Sequence, residues 1–468
     1  VNLEQAQAKV ATLSRELDDR RPTIQNRLGY LRGESGKLKY ASQKFAEYNK
    51  TRYQGFSDNW CSPVATAPAE RMGFLGLQTF DNPDSFDKDL QRTWNYVDGD
   101  AKSSEAWLVH AAAARAFALV HPAATPDEEP NLTFEHPESA IVESDPITGR
   151  DRYGLITWID GTNDYATLYT PDLVARFWRD SDREKWERTS PQVALQDGWQ
   201  PRDDEPQPNP LGEVPLVEMK NLSLLDDEPI SDIDGVMALQ DTMNLIWAYL
   251  LNGLDSASLP ARVVTGADLP KTPVLNAEGQ VIGTQDVPLD DLMKEKILWI
   301  PKDGAKIDEW SPGNLEVFWQ VNERIVEHIA AQTRTPPHYL VAKMINASAE
   351  ALNVAEAGLV SKVGERINRV TPAMKKVMRL LAKAKGADDK RLVSIQAGKL
   401  VWNSIQYRSE SQLADAMGKL RSAGMPMRYI VERLVVDPAE VNRVMDLIEA
   451  ERAADPLSLV TAANRDFS

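Results

Sequence analysis

The sequence predicts an α+β fold that is mainly helical. Two observations carry this. Residues 231–385 hold two helix-like stretches bracketing a strand-rich insert, then a proline stop, Thr333-Arg334-Thr335-Pro336-Pro337, then one very long helix. Residues 114–169 instead break into short apolar or alternating runs parted by turn residues, which is a β-meander signature. The length of 468 residues suggests around three domains at about 150 residues each. With 42% hydrophobic residues and 12 Trp, a sizeable core is available.

The elements follow in order. Residues 3–20 read as a charged helix stopped near Arg21-Pro22, with a second run from Thr23 that Gly33 and Gly36 break. Residues 63–75 and the Ala-rich 101–113 look helical. Ala114–His121, Ala140–Asp145, Arg152–Asp160 and Tyr165–Tyr169 are strand-like, and 198–215, rich in Pro and acid, is a surface connection. Ser231 with Asp234 resembles a capping box. Leu239, Met243, Ile246, Leu250 and Leu254 then recur at helical spacing. Arg262–Thr265, Val274–Ile282 and Lys296–Ile300 are strand candidates. Asn314 is the expected N-cap of a helix whose apolar positions are Leu315, Phe318, Val321, Ile325 and Ile329. The long helix, 346–385, would span about 60 Å. Pro372 inside it predicts a kink. Glu410–Ser422, Met427–Val435 and a helix from Asp437-Pro438 to about Ala453 complete the chain, which has no internal repeat.

Charge narrows the function classes. The net charge of −17 argues against a tight nucleic-acid binder, because phosphate neutralisation dominates such affinity. It leaves room for a surface past which DNA slides. The charge is also uneven. Residues 197–234 carry 11 acids and 2 bases, and residues 358–400 carry 11 bases and 3 acids. One region is expected to meet the other, within or between subunits, or the basic part to face an anion. Cys61 is the only cysteine, so no disulfide framework exists within one chain, and assembly in a reducing cytoplasm fits. The N-terminus is charged and helical rather than signal-like. The most membrane-like stretch, 236–254, is interrupted by Gln240, Asp241, Asn244 and Asn252, and no membrane association is expected.

Catalytic and metal motifs are poor. Six residues separate Gly29 from Gly36-Lys37 where a phosphate-binding loop has four, and Leu38 stands where a hydroxyl belongs. None of His110, His121, His136, His328 and His338 form the i, i+4 pair of a metalloprotease helix. Asp98, Asp100, Asp232 and Asp234 suit a hard cation, but they complete no calcium-loop pattern, and capping or solvation accounts for them better. No cofactor or metal is expected. A metal-dependent nuclease or hydrolase built on these aspartates is the remaining enzyme reading.

Lys362, Arg366, Arg369, Lys376, Arg379 and Lys383 line one face of the long helix. Val363, Ile367, Val370, Met374, Val377 and Leu381 form the packed face beside them. The basic stripe reads as a solvated side, as a partner for an acidic surface of a neighbouring subunit, or as a DNA-facing surface. The loop Pro337–Ile345 between two helices is more apolar than a free surface loop needs, so burial or a subunit contact is expected there.

Taken in order, these segments resemble the Gp6-like portal proteins of tailed phages, the class common among actinobacterial phages. The resemblance rests on Asn59-Trp60-Cys61, Ala69-Glu70-Arg71-Met72, Gly76-Leu77 and Trp94-Asn95-Tyr96-Val97-Asp98. It continues in Ser231-Asp232-Ile233-Asp234 and Leu239-Gln240-Asp241. It is sharpest at Ala331-Gln332-Thr333-Arg334-Thr335-Pro336-Pro337-His338-Tyr339-Leu340, and it ends in Ser409–Ala416 with Lys419-Leu420 and Gly424.

The resemblance implies a non-enzymatic ring, usually of twelve subunits, at one vertex of the virion capsid, assembled in the host bacterial cytoplasm. Double-stranded DNA passes through its channel during packaging and ejection. The terminase large subunit, a head–tail adaptor, the major capsid protein and scaffold are the implied partners. It also implies a wing at 1–230, stem helices at 231–258 and 314–335, a clip at 259–313 and a tunnel loop at 336–348. A long kinked helix with its return occupies 349–400, and a helical crown 401–468. Tyr339, Lys343, Met344 and Asn346 become the candidate channel residues. The alternative is another virion structural protein, such as a head–tail adaptor or minor capsid protein.

Overall fold

The computed structural model describes residues 2–34, 38–49, 56–123, 125, 128–182, 197–225, 228–258, 262–265, 268–275, 279–288, 297–300, 306–309, 314–340, 349–406, 410–435 and 437–454. The fold is mixed α+β, and helices hold about half of it, a smaller share than a mainly helical fold implies. The chain forms two compact units. One comprises Val1–Arg32, Cys61–Gly235 and Ala331–Ser468, and the other Gly33–Trp60 and Val236–Ala330.

The early helices are α1 (Leu3–Arg32), α2 (Gln43–Asn49), α3 (Cys61–Ala69), α4 (Lys88–Tyr96) and α5 (Gly99–Ala113). The early strands are β1 (Phe74–Gln78), β2 (Arg115–His121), β3 (Asn131–Glu135), β4 (Ala140–Ser144), β5 (Asp151–Asp160), β6 (Asn163–Tyr169), β7 (Leu173–Asp180), β8 (Gln200–Pro201), β9 (Gln207–Pro208) and β10 (Leu216–Lys220).

The larger unit is layered around β2. This strand pairs antiparallel with β10 on one side and β3 on the other. Its side chains alternate between two faces, as strand geometry requires. Ala116, Ala118 and Val120 face Val363, Val370, Met374, Val377 and Leu381 of the long helix Ala349–Ala384, with Trp94, Trp107 and Trp402 in the same core. Phe117 and Leu119 face Ala140, Val142 and Ile156 of a second sheet, ordered β4-β5-β6-β7-β8 with β9 beside β7. Ile141, Leu155, Leu168 and Phe177 on the far side of that sheet pack against Ala6, Val10, Leu13 and Leu17 of α1. The order is long helix, three-stranded sheet, meander, α1. A strand buried on both faces reads as a continuous apolar run rather than an alternating one, which is the pattern of Arg115–His121.

Several boundaries differ from the sequence expectation. α1 does not stop at Arg21-Pro22 but runs through Pro22 to Arg32. A mid-helix proline costs about 3 kcal/mol. Buried residues on both sides, Leu13 and Leu17 before it and Ile24 and Leu28 after it, outweigh that cost. The helix expected over 63–75 ends at Ala69, and Phe74–Gln78 pairs with β16 (Lys399–Trp402) instead, a partner more than 300 residues away that local pattern does not reveal. The helix expected from Ser231 begins at Met237. Ser231 N–H does donate to Asp234 Oδ2 at 2.8 Å, the reciprocal arm of a capping box. Ser231 Oγ, however, donates to the Ala111 and Ala112 carbonyls, so tertiary bonds hold residues 231–236 as turns. Strands β3, β7 and β10 and helix α4, which Asp87 caps, are additions to the expected elements.

In the smaller unit the first strut helix, Met237–Ser258, carries a polar seam. Buried Gln240 Nε2 donates to the Asp58 carbonyl at 2.6 Å and to Asn244 Oδ1 at 3.1 Å. Its Oε1 accepts the Trp60 N–H at 2.7 Å. Trp247 Nε1 donates to Asp58 Oδ2 at 2.8 Å, and its ring meets Trp319 edge-on at 6.2 Å. Pairing explains why these polar groups sit on a helix face. In the insert, β11 (Arg262–Thr265) lies between β14 (Ile297–Ile300, parallel) and β15 (Lys306–Glu309, antiparallel), while β12 (Lys271–Leu275) and β13 (Val281–Asp286) form a separate, exposed hairpin. Asn314 Oδ1 accepts the Glu316 N–H at 3.0 Å, the expected cap of the second strut, Glu316–Thr333. Val321, one of the apolar positions noted in the sequence, is exposed, and Asn322 beside it is buried.

The long helix should behave as a core element. Leu381→Ala removes a fully buried side chain and is expected to lower unfolding free energy by about 2–5 kcal/mol. Denaturant unfolding checks this, and an unchanged midpoint overturns the central placement of that helix.

Candidate functional site

The second strut ends because Arg334 adopts a left-handed conformation, φ 54°, which closes a helix without glycine here. Thr333 Oγ1 donates to Thr335 Oγ1 at 2.9 Å, and both residues are buried. Lys362, from the long helix, donates to the Thr333 carbonyl at 3.1 Å. A cation there satisfies one of the orphan carbonyls of a helix C-terminus. Pro337–Leu340 then form a single helical turn.

Tyr339 stands in that turn and is pinned. Its hydroxyl accepts from Arg71 Nη2 at 2.5 Å. Arg71 also pairs with Glu356 at 3.2 Å and donates to the Ile405 carbonyl at 3.0 Å. His338 Nε2 lies 3.5 Å from Glu356. Burial works to lower the Arg71 pKa, but Tyr339 and Glu356 outweigh it and raise it above its ordinary value. Lys343, Met344 and Asn346 lie outside the described residues, as do Gly36 and Lys37 of the rejected phosphate-loop match.

Asp232 is the hub of the site. Its carboxylate pairs with Lys362 at 2.8 Å and with Arg366, and accepts from Asn221 Nδ2 at 2.9 Å. Arg366 is 1% exposed. Burial alone would push the Asp232 carboxyl up; the Arg366 and Lys362 charges outweigh it and bring it down to about 2. Burial holds Lys362 below the usual lysine value despite Asp232.

The rest of the basic stripe also meets carboxylates of the same chain. Lys376 pairs with Asp151, and Arg379 and Lys383 both pair with Glu213, the latter at 2.8 Å. Burial works to raise the Glu213 pKa, but these two cations hold it below the ordinary carboxylate value. Arg369 reaches Glu365 one turn back at 3.2 Å. The acid-rich and base-rich stretches thus meet within the chain at Asp232 and Glu213. Pro372 lies inside an unbroken helix, facing a cleft of about 820 Å³ that Lys376, Arg379 and Lys383 also line.

The other aspartates singled out by the sequence are engaged as well. Asp234 pairs with Arg27 at 2.7 Å, and Asp100 accepts from Trp94 Nε1 at 2.8 Å. Asp98 is left-handed, φ 55°, at the start of α5. Among the described residues no three His, Cys, Asp or Glu side chains converge as metal ligands, and no helix is long and apolar enough to cross a membrane. Sequence reasoning assigned no role to Arg71, Glu356 or Glu213. Arg71 had a signal, since it sits in Ala69-Glu70-Arg71-Met72.

Residues 11–455 match the family of phage portal proteins of the SPP1 Gp6-like type. The chain belongs to that family. Phage portal proteins are structural components of the virion and carry no enzymatic activity. This portal protein is 25% identical over 374 residues to the portal protein of Mycobacterium phage L5, covering 76% of this chain and 70% of that one. It is 26% identical over 372 residues to the portal protein of Mycobacterium phage D29, with the same coverage. Among solved structures, it is similar to a chain in the virion of a native gene transfer agent particle. The TM-score there is 0.43 at 15% identity, covering 85% of this chain and 88% of that one. A chain in the neck of the native gene transfer agent particle, computed with C12 symmetry, gives 0.45 at 15% identity over 88% and 99%.

Two outcomes are expected of this portal protein. Asp232→Ala leaves two buried cations without their carboxylate, an error that costs about 3–5 kcal/mol when a buried pair is broken. Because the folded Asp232 pKa is depressed to about 2, its contribution is full above the ordinary value of 3.8 and is lost as pH falls from there through about 2. Melting curves across that window should show a stability loss that Asp232→Asn, already uncharged, does not repeat. Tyr339→Phe removes the acceptor for Arg71. Amide exchange in 337–340 should quicken several-fold while the global melting point shifts by little, and an unchanged exchange rate overturns the pinning.

Proposed function

We propose that this portal protein works as a ring of twelve around a DNA channel at one capsid vertex, admitting the genome during packaging and releasing it at ejection. Residues 1–230 act as wing, 231–258 and 314–335 as stem, 259–313 as clip, 336–348 as tunnel loop, 349–400 as the long helix and its return, and 401–468 as crown. The observation that carries this reading is on the second strut. Val317 and Val321, one turn apart, stand exposed at 51% and 41% on a helix whose opposite face is buried. Clustered apolar exposure on a soluble chain marks an interaction surface, and a copy of the same helix in a closed ring supplies the cover.

The chemistry of passage follows from charge. A net charge of −17 per subunit disfavours tight phosphate binding, so DNA would slide rather than stall. The stripe from Lys362 to Lys383 is matched by Asp232, Asp151 and Glu213. The weak phosphate contacts are therefore assigned to Lys343, with Met344 and Asn346 lining the channel beside it and Tyr339 fixing one end of the loop. A bend at Pro372 would turn the long helix between loop and crown. The strand-rich insert presents the surface for the terminase large subunit and then the adaptor, and the wing and crown face the capsid protein and scaffold.

Electron microscopy and mass measurement of the purified protein test the proposal. Rings with an axial hole, at twelve times the 52.2 kDa subunit mass, are expected. A protein that stays monomeric overturns it, and a ring map with Lys343 on the outer surface overturns the channel assignment alone.

A further inference from the structure

Two features of the larger unit stay unmatched within one chain, and they suit each other. The first is the turn that follows β10. Leu222 bridges Ile230 at its base, and Leu224 and Leu225 stand exposed at 57% and 94%. Leu225 is also left-handed, φ 61°, a conformation that L side chains rarely adopt. Ser223 Oγ donates to the Leu225 carbonyl at 2.7 Å and holds the turn in that shape. A bulky apolar side chain is thus kept in an unfavourable backbone state and in water at once. Such strain clusters where a segment has a task, and adjacent exposed apolar side chains mark a contact surface. The turn belongs to the acid-rich stretch 197–234. Glu228, just after it, keeps 68% of its side chain exposed even while it pairs with Arg115.

The second feature is the cleft of about 820 Å³ that faces Pro372, a volume within the range of built binding sites. Pro171, Val214, Leu392 and Val393 give it apolar walls, and Val393 is exposed there on the helix Asp389–Ala397. Among its charged residues, Arg150, Lys376, Arg379 and Lys383 outnumber Asp151, Glu213 and Asp389. Arg150 has no carboxylate partner among the described residues. Excess positive charge in a cleft, on a chain of net charge −17, selects an acidic visitor.

The turn cannot fill the cleft of its own chain. Gly212–Val214 of the cleft precede β10 and the turn follows it, and β10 is paired with β2 along its whole length. Turn and cleft are therefore held beyond opposite ends of one fixed strand. A contact made from two different patches on each copy is heterologous, and it closes into a ring where the rotation permits. Resting on the ring reading above, we infer that the Leu224-Leu225 turn of one copy seats in the Pro372 cleft of the next. The leucines meet Leu392, Val393 and Val214, and the acidic flank meets Arg150 and the cations of the long helix. Every copy then gives one turn and receives one.

Cysteine cross-linking of the full chain tests this. The double variant Leu225→Cys with Val393→Cys, treated with a short bismaleimide, should run on a denaturing gel as a ladder up to the full ring. The two single variants, mixed, should give dimers only. A dimer from Leu225→Cys alone means turn against turn and overturns the contact. Rings seen by electron microscopy that yield no ladder also overturn it and leave the ring reading standing. Protein that stays monomeric overturns both. A ladder from open filaments keeps the contact and overturns ring closure alone. In a second readout, Leu224→Asp with Leu225→Gly should raise the concentration needed for assembly about tenfold or more. Glycine suits the left-handed turn, so this variant should melt no lower as a monomer. Assembly at an unchanged concentration overturns the inference.

Discussion

The Asp232 carboxylate, set between Lys362 and Arg366, is the interaction on which much of the larger unit depends. The cations are one helical turn apart on the long helix. Asp232 itself hangs from the Ala111 carbonyl through its own backbone N–H at 3.1 Å. One side chain therefore joins the end of α5, the long helix and, through Lys362, the Thr333 carbonyl at the end of the second strut. A buried ion pair contributes little against a well-packed apolar alternative. Its value is geometric, because only one rotation and one register of the long helix put both cations on the same carboxylate. The apolar face beside the stripe is less exacting, since packed cores tolerate exchange among similar volumes.

Glu213 repeats the device nearly five turns further along, where it takes Arg379 and Lys383. Lys385 adds a third clasp at the helix end, reaching Glu129 at 2.8 Å and Asp89 at 2.6 Å. The long helix is held by dispersion and the hydrophobic effect on one side and by spaced charge pairs on its flanks. Partly exposed pairs of this kind contribute modestly one by one. Three clasps along one rod nevertheless fix its azimuth.

Much of this was legible in the sequence. The long helix, the second strut, β11 and the last three helices have strong periodicity or clear caps, and their boundaries fall within a few residues of expectation, while the first strut begins six residues later than its capping signal suggests. The stripe and the acid-rich stretch could be counted, and the expectation that one region meets the other follows from charge alone. What escaped the sequence was non-local. Pro22 looks like a stop until the meander that packs on α1 is known. Phe74–Gln78 has no strand partner until Lys399–Trp402 is placed beside it. Asp232 reads as a cap or a metal ligand because its cations lie more than 120 residues away. Arg71 has only its place in a short motif to mark it until Tyr339 and Glu356 reach it. At these positions the chain's local preferences are overruled by contacts that one-dimensional pattern does not encode.

The layering around β2 also sets a schedule for synthesis. The face formed by Ala116, Ala118 and Val120 is covered by residues 363–381 of the long helix, which leave the ribosome some 250 residues later. At about 5–20 residues per second, that face waits on the order of ten to fifty seconds for its cover. β2 and β10 can pair in the meantime, but their sheet remains open on one side, and an open apolar sheet is prone to wrong partners. The larger unit is thus a late folder, closed by its C-terminal third, with the smaller unit's residues 236–330 synthesised inside the interval.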